Sequence, residues 1–303
     1  MTKTTLESTL KSADTEETID ILFYRPIGYQ MALLAEKLKI TPNQVTITSI
    51  FLGAFAGYFF YFSDIYLNAI GMAMLMVANM MDSADGQLAR MTGQTSAIGR
   101  WLDGAAEYFW FVSIYIFVFF RMLNEGYSPW IWILPASAGF MHPIQTALAD
   151  YYRTLHLMFL NNKKGSEFDR SVIVYEKFLS KSWTKEPFSK FAMLSYFNYT
   201  RNQELLTPKL QKFFTLFQEK YSNDIPQKLR DEFREKSKPL MKYTNFLTFN
   251  WRCIILFVGL FIGKPWIFFV FELTVLNAAL IYMRYRHESF CAHFYAKLFR
   301  NEL

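Results

Sequence analysis

Long uncharged runs separated by charged connections divide this chain into helices of membrane length. Val45 to Phe62 is an uncharged stretch of 18 residues, enough for a helix to cross ~30 Å of hydrocarbon. Tyr66 to Met81 is a second run, and its helix continues into polar sequence. The third span starts polar at Gly99 and turns almost wholly apolar from Tyr108 to Phe120. Ser128 to Ala149 forms a fourth, interrupted by Pro135 and Pro143, while Phe246 to Gly263 and Pro265 to Met283 form the fifth and sixth, carrying Arg252 and Glu272. Ahead of them, Ile21 to Ile40 mixes Leu22, Ile27, Leu34 and Leu38 with Arg25, Lys37 and Lys39, as expected of a helix lying in the membrane interface. Pro26 fits the first turn of that helix, and Pro42-Asn43 closes it and opens the first span.

Between spans four and five lies a charged, Phe-rich insert from Thr154 to Tyr243. Within it Leu205, Leu206, Leu210, Phe213, Phe214 and Phe217 recur at helical spacing, which predicts an amphipathic helix packed on the membrane surface or on neighbouring helices. The pattern as a whole predicts an all-α, polytopic membrane protein with six transmembrane helices, an interfacial N-terminal helix and a cytoplasmic helical insert. Its segments are residues 1–44, 45–153 with spans one to four, 154–243, and 244–303 with spans five and six.

Composition agrees with that class and charge orients it. The 303 residues are 52% hydrophobic and 19% aromatic, too apolar for an ordinary soluble domain of this size. A net charge of +6 could point to nucleic acid, but the basic residues cluster in particular loops and form no continuous stripe, so no nucleic-acid partner is expected. The connections around Asp64, Arg121 to Tyr127 and Lys264 hold almost no Lys or Arg. The N-terminal segment, Arg90, Arg100 and the insert lie on the opposite side, which is therefore cytoplasmic and carries both termini. Met1 to Asp20 has no apolar core with a small-residue cleavage site, so no cleavable signal peptide is expected. Cys253 and Cys291 form no disulfide framework, and the four histidines show no zinc spacing.

Four carboxylates interrupt this apolar design. They read Asp82-x-x-Asp85-Gly86-x-x-Ala89-Arg90, eight residues, then Gly99-x-x-x-Asp103-x-x-x-Glu107. Charges at the end of an apolar helix are costly unless paired, hydrated or bound to a cation. Asp82 and Asp85 share one helical face, and Gly99, Asp103 and Glu107 share another. Turned toward each other, these faces would make a cage of oxygens that selects Mg²⁺, Mn²⁺ or Ca²⁺ and could hold two ions against a diphosphate. Gly86 and Ala89 allow close approach of a nucleotide or a helix, and Arg90 can fork onto phosphate oxygens. Two other accounts stay open. The acids could pair with Arg90 and Arg100 as structural glue, or they could belong to a cation transporter or sensor. The latter requires a polar path, whereas spans two and three are apolar beyond the acids apart from Asn68 and Ser113.

The segment Asp82 to Glu107 resembles the signature of the CDP-alcohol phosphotransferases, D-x-x-D-G-x-x-A-R, eight residues, G-x-x-x-D-x-x-x-D, and fits at every fixed position except the last. Pro42-Asn43-x-x-Thr46 is similar to the motif that opens that family's first span. The likeness covers Arg25 to about Arg153 well, the last two spans loosely and the insert not at all. It implies transfer of a phospho-alcohol, in phospholipid biosynthesis, from a CDP-linked donor to an acceptor hydroxyl with release of CMP. It also implies two ions of Mg²⁺ or Mn²⁺ and a homodimer embedded among membrane lipids.

Carried over by resemblance, Asp82, Asp85 and Asp103 are metal ligands, with Glu107 completing the acidic cage. Gly86, Ala89 and Arg90 line the nucleotide site with Gly99 nearby, and Asn43 and Thr46 touch the nucleotide from the first span. Glu107 stands where the family has its fourth aspartate, the general base. Its extra methylene leaves three alternatives: Glu107 is the base, the base is relocated to His142, or the chain is an inactive homologue. Arg252, His142 and Arg153 are the candidates for acceptor binding. Each has a plainer alternative: Arg252 snorkels or pairs with Glu272, His142 satisfies a carbonyl freed by proline, and Arg153 belongs to a solvated helix end. A basic pocket would suit inositol phosphate or glycerol phosphate with CDP-diacylglycerol as donor. An apolar one would suit a lipid alcohol attacking a CDP-linked head group.

Overall fold

The computed structural model describes residues 12, 14–94, 97–161, 169–221 and 225–302, and no strand occurs among them. Most of Met1 to Asp20, where no signal peptide was expected, and the side chain of Arg100 lie outside the described residues. The helices in chain order are α1 (Arg25–Lys37), α2 (Pro42–Phe59), α3 (Ile65–Thr92), α4 (Ala97–Asn124), α5 (Ile133–Asn161), α6 (Ser171–Leu179) and α7 (Pro187–Leu206). They continue with α8 (Pro208–Tyr221), α9 (Gln227–Ser237), α10 (Met241–Phe246), α11 (Phe249–Phe261), α12 (Trp266–Phe271) and α13 (Asn277–Phe299).

Four stretches of helix are long and apolar enough to cross a membrane among the described residues: Ile65–Thr92, Trp101–Asn124, Gln227–Phe261 and Trp266–Phe299. The other two expected spans correspond to α2 and α5, which fall short in apolar length. The polar first turn Pro42-Asn43-Gln44 dilutes α2, and His142, Gln145, Asp150 and Arg153 dilute α5.

The chain forms two compact units, Met1–Pro143 with Phe249–Val275 and Ile144–Thr248 with Leu276–Leu303. In the first, α2 starts abruptly because Thr41 caps Gln44 N–H while the Gln44 side chain accepts from Thr41 N–H, with Pro42 following the cap. The Asp64 carboxylate caps α3 through Tyr66 N–H and Leu67 N–H at 2.8 and 3.0 Å, and Gly93 at φ 68° ends that helix. Small residues let α2, α3 and α4 pack closely. A Cβ on Gly53 would run into the Trp110 indole, whose Nε1–H donates to Ser49 C=O at 2.9 Å. Helix α1 turns Gly28, Ala32 and Ala35 inward, and a Cβ on Gly28 would stand 3.0 Å from Ser83 Oγ. Leu22, Leu34 and Leu38 stay exposed beside it.

The second unit has its own aromatic core. The insert pattern expected from Leu205 to Phe217 is broken at Thr207, where α7 ends and Pro208 starts α8. Leu210, Phe213, Phe214 and Phe217 are buried, whereas Leu205 faces outward. Phe213 packs 5.8 Å from Phe294 of α13, and Phe159 stacks on Phe233 at 3.9 Å. The Glu288 carboxylate of α13 receives Lys209 N–H and Leu210 N–H at 2.8 and 3.1 Å, so a negative side chain sits at the positive end of α8.

Close packing of α2 on α4 leads to a paired expectation. Gly53→Ala should lower stability by about 1–3 kcal/mol through overpacking. Gly104→Ala, where a Cβ meets nothing within 4 Å, should be neutral or stabilising by up to about 1 kcal/mol. Thermal unfolding in detergent checks both.

Candidate active site

Helical spacing alone puts Asp82 and Asp85 on one face of α3, one turn before Gly86, Ala89 and Arg90. The opposite face of that turn is spent on packing, since Ala84 and Leu88 are buried against Ala32 and Ala35 of α1 and Val45 of α2. On α4 the four-residue step from Gly99 through Asp103 to Glu107 points one face at the acids of α3. One carboxylate oxygen from each of Asp82, Asp85 and Asp103 lies within 4.8 Å of the others, with Asp85 buried and Asp103 exposed. The expected convergence of these three is therefore present.

Thr46, placed one turn into α2 by the Thr41 cap, is buried, and its hydroxyl donates to the Asp85 carboxylate. The same hydroxyl is 3.1 Å from Pro42 C=O. Asn43 is half-buried on the same turn. Gly86 opens toward the guanidinium of Arg90, which a Cβ would meet at 3.5 Å, so side chain is missing where Arg90 folds over the helix. Among the described residues, no ion pair joins Arg90 to Asp82 or Asp85; the side chain of Arg100, the other arginine of that alternative, lies outside them.

The donor set fits a divalent cation. Octahedral coordination at 2.0–2.1 Å places opposite ligand oxygens about 4.2 Å apart, so three oxygens already within 4.8 Å need only a small contraction. Asp85 is 3% exposed with a single neutral hydroxyl as its side-chain donor, a setting that favours a positive charge alongside. The residues that could hold the ion are thus Asp82, Asp85 and Asp103.

Glu107 lies one turn beyond Asp103 and faces a different neighbour. Its Oε1 is 3.7 Å from His142 Nε2. His142 Nδ1 is 2.8 Å from the Tyr115 hydroxyl, which donates to Glu272 Oε2 at 2.7 Å. Glu272 is ion-paired with Arg252, and both are fully buried. Arg252 thus takes the pairing alternative of the two open for it, and its guanidinium does not face solvent. Arg153 belongs to the second unit, where it donates to Asn245 Oδ1 at 2.9 Å. Sequence reasoning missed Tyr115, having treated the third span as apolar there. The signal was available, because the four-residue step from Glu107 passes through Phe111 to Tyr115.

Residues 39–166 match the family model described as CDP-alcohol phosphatidyltransferase. This part of the chain is similar to that family, over less than half of the chain's length. Two curated proteins share similarity. One is the "Bifunctional IPC transferase and DIPP synthase" of Aquifex aeolicus, 32% identical over 94 residues, or 31% of this chain and 21% of that protein. The other is the "Archaetidylinositol phosphate synthase" of Pyrococcus horikoshii, 40% identical over 70 residues, or 23% of this chain and 36% of that protein. The chain thus spans only about a fifth and about a third of these relatives' lengths. No solved structure matches the chain. The CDP-alcohol phosphatidyltransferase match takes in α2 to α5 and with them every acid of the site; α11 to α13 lie beyond it.

The Thr46 hydroxyl is the only side-chain donor to Asp85 among the described residues, which makes it a direct test of the metal reading. Thr46→Val should weaken Mn²⁺ binding by about ten- to a hundredfold, the usual cost of losing a partner behind a ligand, whereas Thr46→Ser should retain it. Calorimetric titration of the purified protein with Mn²⁺ reads both.

Proposed function

We propose that this chain is a membrane enzyme that transfers a phospho-alcohol group, most simply a phosphatidyl group, from a CDP-linked donor to an acceptor hydroxyl with release of CMP in phospholipid synthesis. The observation that carries this reading is the convergence of Asp82, Asp85 and Asp103 beside Gly86 and Arg90 within the matched family region. Mg²⁺ or Mn²⁺ held by the three aspartates, as two ions in the full reading, would neutralise the diphosphate and the departing phosphate. Gly86 and Ala89 leave room for the cytidine diphosphate over α3, and Arg90 folds onto its phosphate oxygens. Asn43 and Gly99 border the same space. Glu107 accepts the proton of the attacking hydroxyl, its longer side chain reaching over the turn that separates it from Asp103.

The relative named archaetidylinositol phosphate synthase supports a phosphorylated polyol such as inositol phosphate as acceptor; the donor in this reading is CDP-diacylglycerol. Burial of Arg252 favours a second reading, because the basic group expected for such an acceptor is occupied by Glu272. In that reading a lipid hydroxyl attacks a CDP-linked head group. The topology that accompanies either has six spans, α2 and α5 included. The loop charges support a cytoplasmic placement of both termini, the 154–243 insert and the acidic site, and two chains assemble as a homodimer in this reading.

Purified protein should release CMP from CDP-diacylglycerol or a CDP-linked head group only with Mg²⁺ or Mn²⁺ and a suitable acceptor. Asp103→Asn should reduce the rate at least about a hundredfold. Glu107→Gln should lose about 10²- to 10⁴-fold, the usual contribution of a general base, while Glu107→Asp should keep measurable turnover. Cation binding without CMP release under any acceptor would leave a metal-binding membrane protein or an inactive homologue.

A further inference from the structure

Large apolar side chains left outside a helix at helical spacing mark a surface that another apolar phase covers. In the second unit, α8 turns its apolar side inward onto α13, with Phe213 packed on Phe294. The hairpin before it, α6 with α7, does the opposite. Val172, Tyr175 and Leu179 recur at steps of three and four along α6 and are between 42% and 62% exposed, while Val174 on the far side is fully buried. Trp183 in the connecting turn, and Phe188 and Phe191 at the start of α7, are each about half exposed. The inner side of the hairpin is already committed. Gln203 Nε2–H donates to Ala147 C=O at 2.8 Å and the Tyr199 hydroxyl donates to Asp150 Oδ2 at 3.0 Å. These bonds fasten α7 to α5 where the proposed fourth span ends. Ser171 N–H donates to Glu204 Oε1 at 2.8 Å and closes α6 onto α7. All these residues belong to the second unit.

Charge and residue type identify the covering phase. From Ser171 to Phe191 the chain carries four lysines against two glutamates, a net charge of +2. Lys185 is exposed in the turn beside Trp183, and Lys190 Nζ lies 4.8 Å over the Phe178 ring and 5.6 Å over that of Trp183. Lysine stems laid along aromatic rings suit the membrane–water boundary, where the ring is half immersed and the ammonium reaches the head groups. The core of a protein–protein contact is depleted in lysine. An open groove of about 370 Å³ lies between α6 and α7 among the exposed side chains, lined by Val172, Tyr175, Phe197 and Arg201. Glu204 also lines it, but its carboxylate is taken by Ser171 N–H and Oγ. Arg201, held over the Phe197 ring at 6.0 Å, offers forked donors to a lipid phosphate.

We propose that the outer face of the α6–α7 hairpin lies in the head-group region of the bilayer and is covered by anionic phospholipid. The apolar side chains reach the acyl boundary, Lys185 and Lys190 meet the phosphates, and Arg201 binds one at the groove. This docking needs the bilayer but not the transfer reaction, so its failure leaves the reading of the acidic site untouched.

The test uses the full chain in nanodiscs, with a nitroxide label on one added thiol at Leu179→Cys, Phe188→Cys or Glu235→Cys. Cys253 and Cys291 are buried and stay unlabelled, which the parental chain verifies. Glu235 of α9, with its side chain 75% exposed, is the water reference. Collision with oxygen, which concentrates in the bilayer, relative to collision with an uncharged, water-soluble nickel chelate should be severalfold higher at 179 and 188 than at 235 when the nanodisc contains phosphatidylglycerol. With phosphatidylcholine alone, nickel access at 179 and 188 should rise, since each basic residue at an anionic surface is worth about fivefold in the docked-to-free ratio. Nickel access at 179 and 188 equal to that at 235 overturns the proposal, because the face is then in water. Protection from both collision partners overturns it as well, since a protein, a second copy of this chain included, then covers the face. Equal access in the two lipid compositions overturns the role given to anionic lipid.

Discussion

Like charges held together by covalent and helical geometry, against their own repulsion, organise the first unit. Asp82, Asp85 and Asp103 present oxygens within 4.8 Å of one another at the polar end of apolar helices, where unbalanced negative charge is costly. The backbone enforces the cluster: Asp82 and Asp85 are one turn apart on a rigid helix, and α4 is drawn toward α2 by a glycine face that admits Trp110 without a Cβ in the way. Thr46 adds the one side-chain hydroxyl that Asp85 receives. Packing of small residues and aromatics thereby holds together carboxylate oxygens that could take a divalent ion.

The same unit treats its second charged group in the opposite way. Arg252 and Glu272 neutralise each other where no water reaches, and removing one alone would leave a buried charge, at a cost of about 3–5 kcal/mol. The three aspartates present oxygens close enough together to hold a cation, whereas this pair is closed internally. One unit thus holds two charged arrangements of opposite kind, an aspartate cluster that could hold a metal ion and an ion pair that neutralises itself.

Periodicity was enough to read the long helices and the shared face of Asp82 with Asp85, because each depends on residues within a turn or two of one another. What depended on distant partners was hidden. The Arg252–Glu272 pairing remained one of two alternatives until α11 and the segment after α12 were seen packed together. Tyr115 looked like another aromatic in an apolar run, since its hydroxyl gains meaning only from His142 of α5 and Glu272. In α2 the first turn Pro42-Asn43-Gln44 is polar where it carries the cap, so the helix as a whole is less apolar than the run from Val45 that follows it. In the insert, continuous helical spacing from Leu205 to Phe217 concealed a break at Thr207, where Pro208 denies the helix a backbone donor.

Asp103, Glu107, Phe111 and Tyr115 follow one another at four-residue steps along α4, so one rigid rod carries an oxygen of the aspartate cluster, the carboxylate beside His142 and the hydroxyl that donates to Glu272. Side-chain tips lie about 6 Å from a helix axis, so a roll of roughly 10° would carry all of them sideways by about 1 Å. Such a shift can cost a reaction about a hundredfold. The components of this centre are therefore geared to a single mechanical coordinate, and whatever sets the roll of α4, down to the indole seated on Gly53, acts on them as a group.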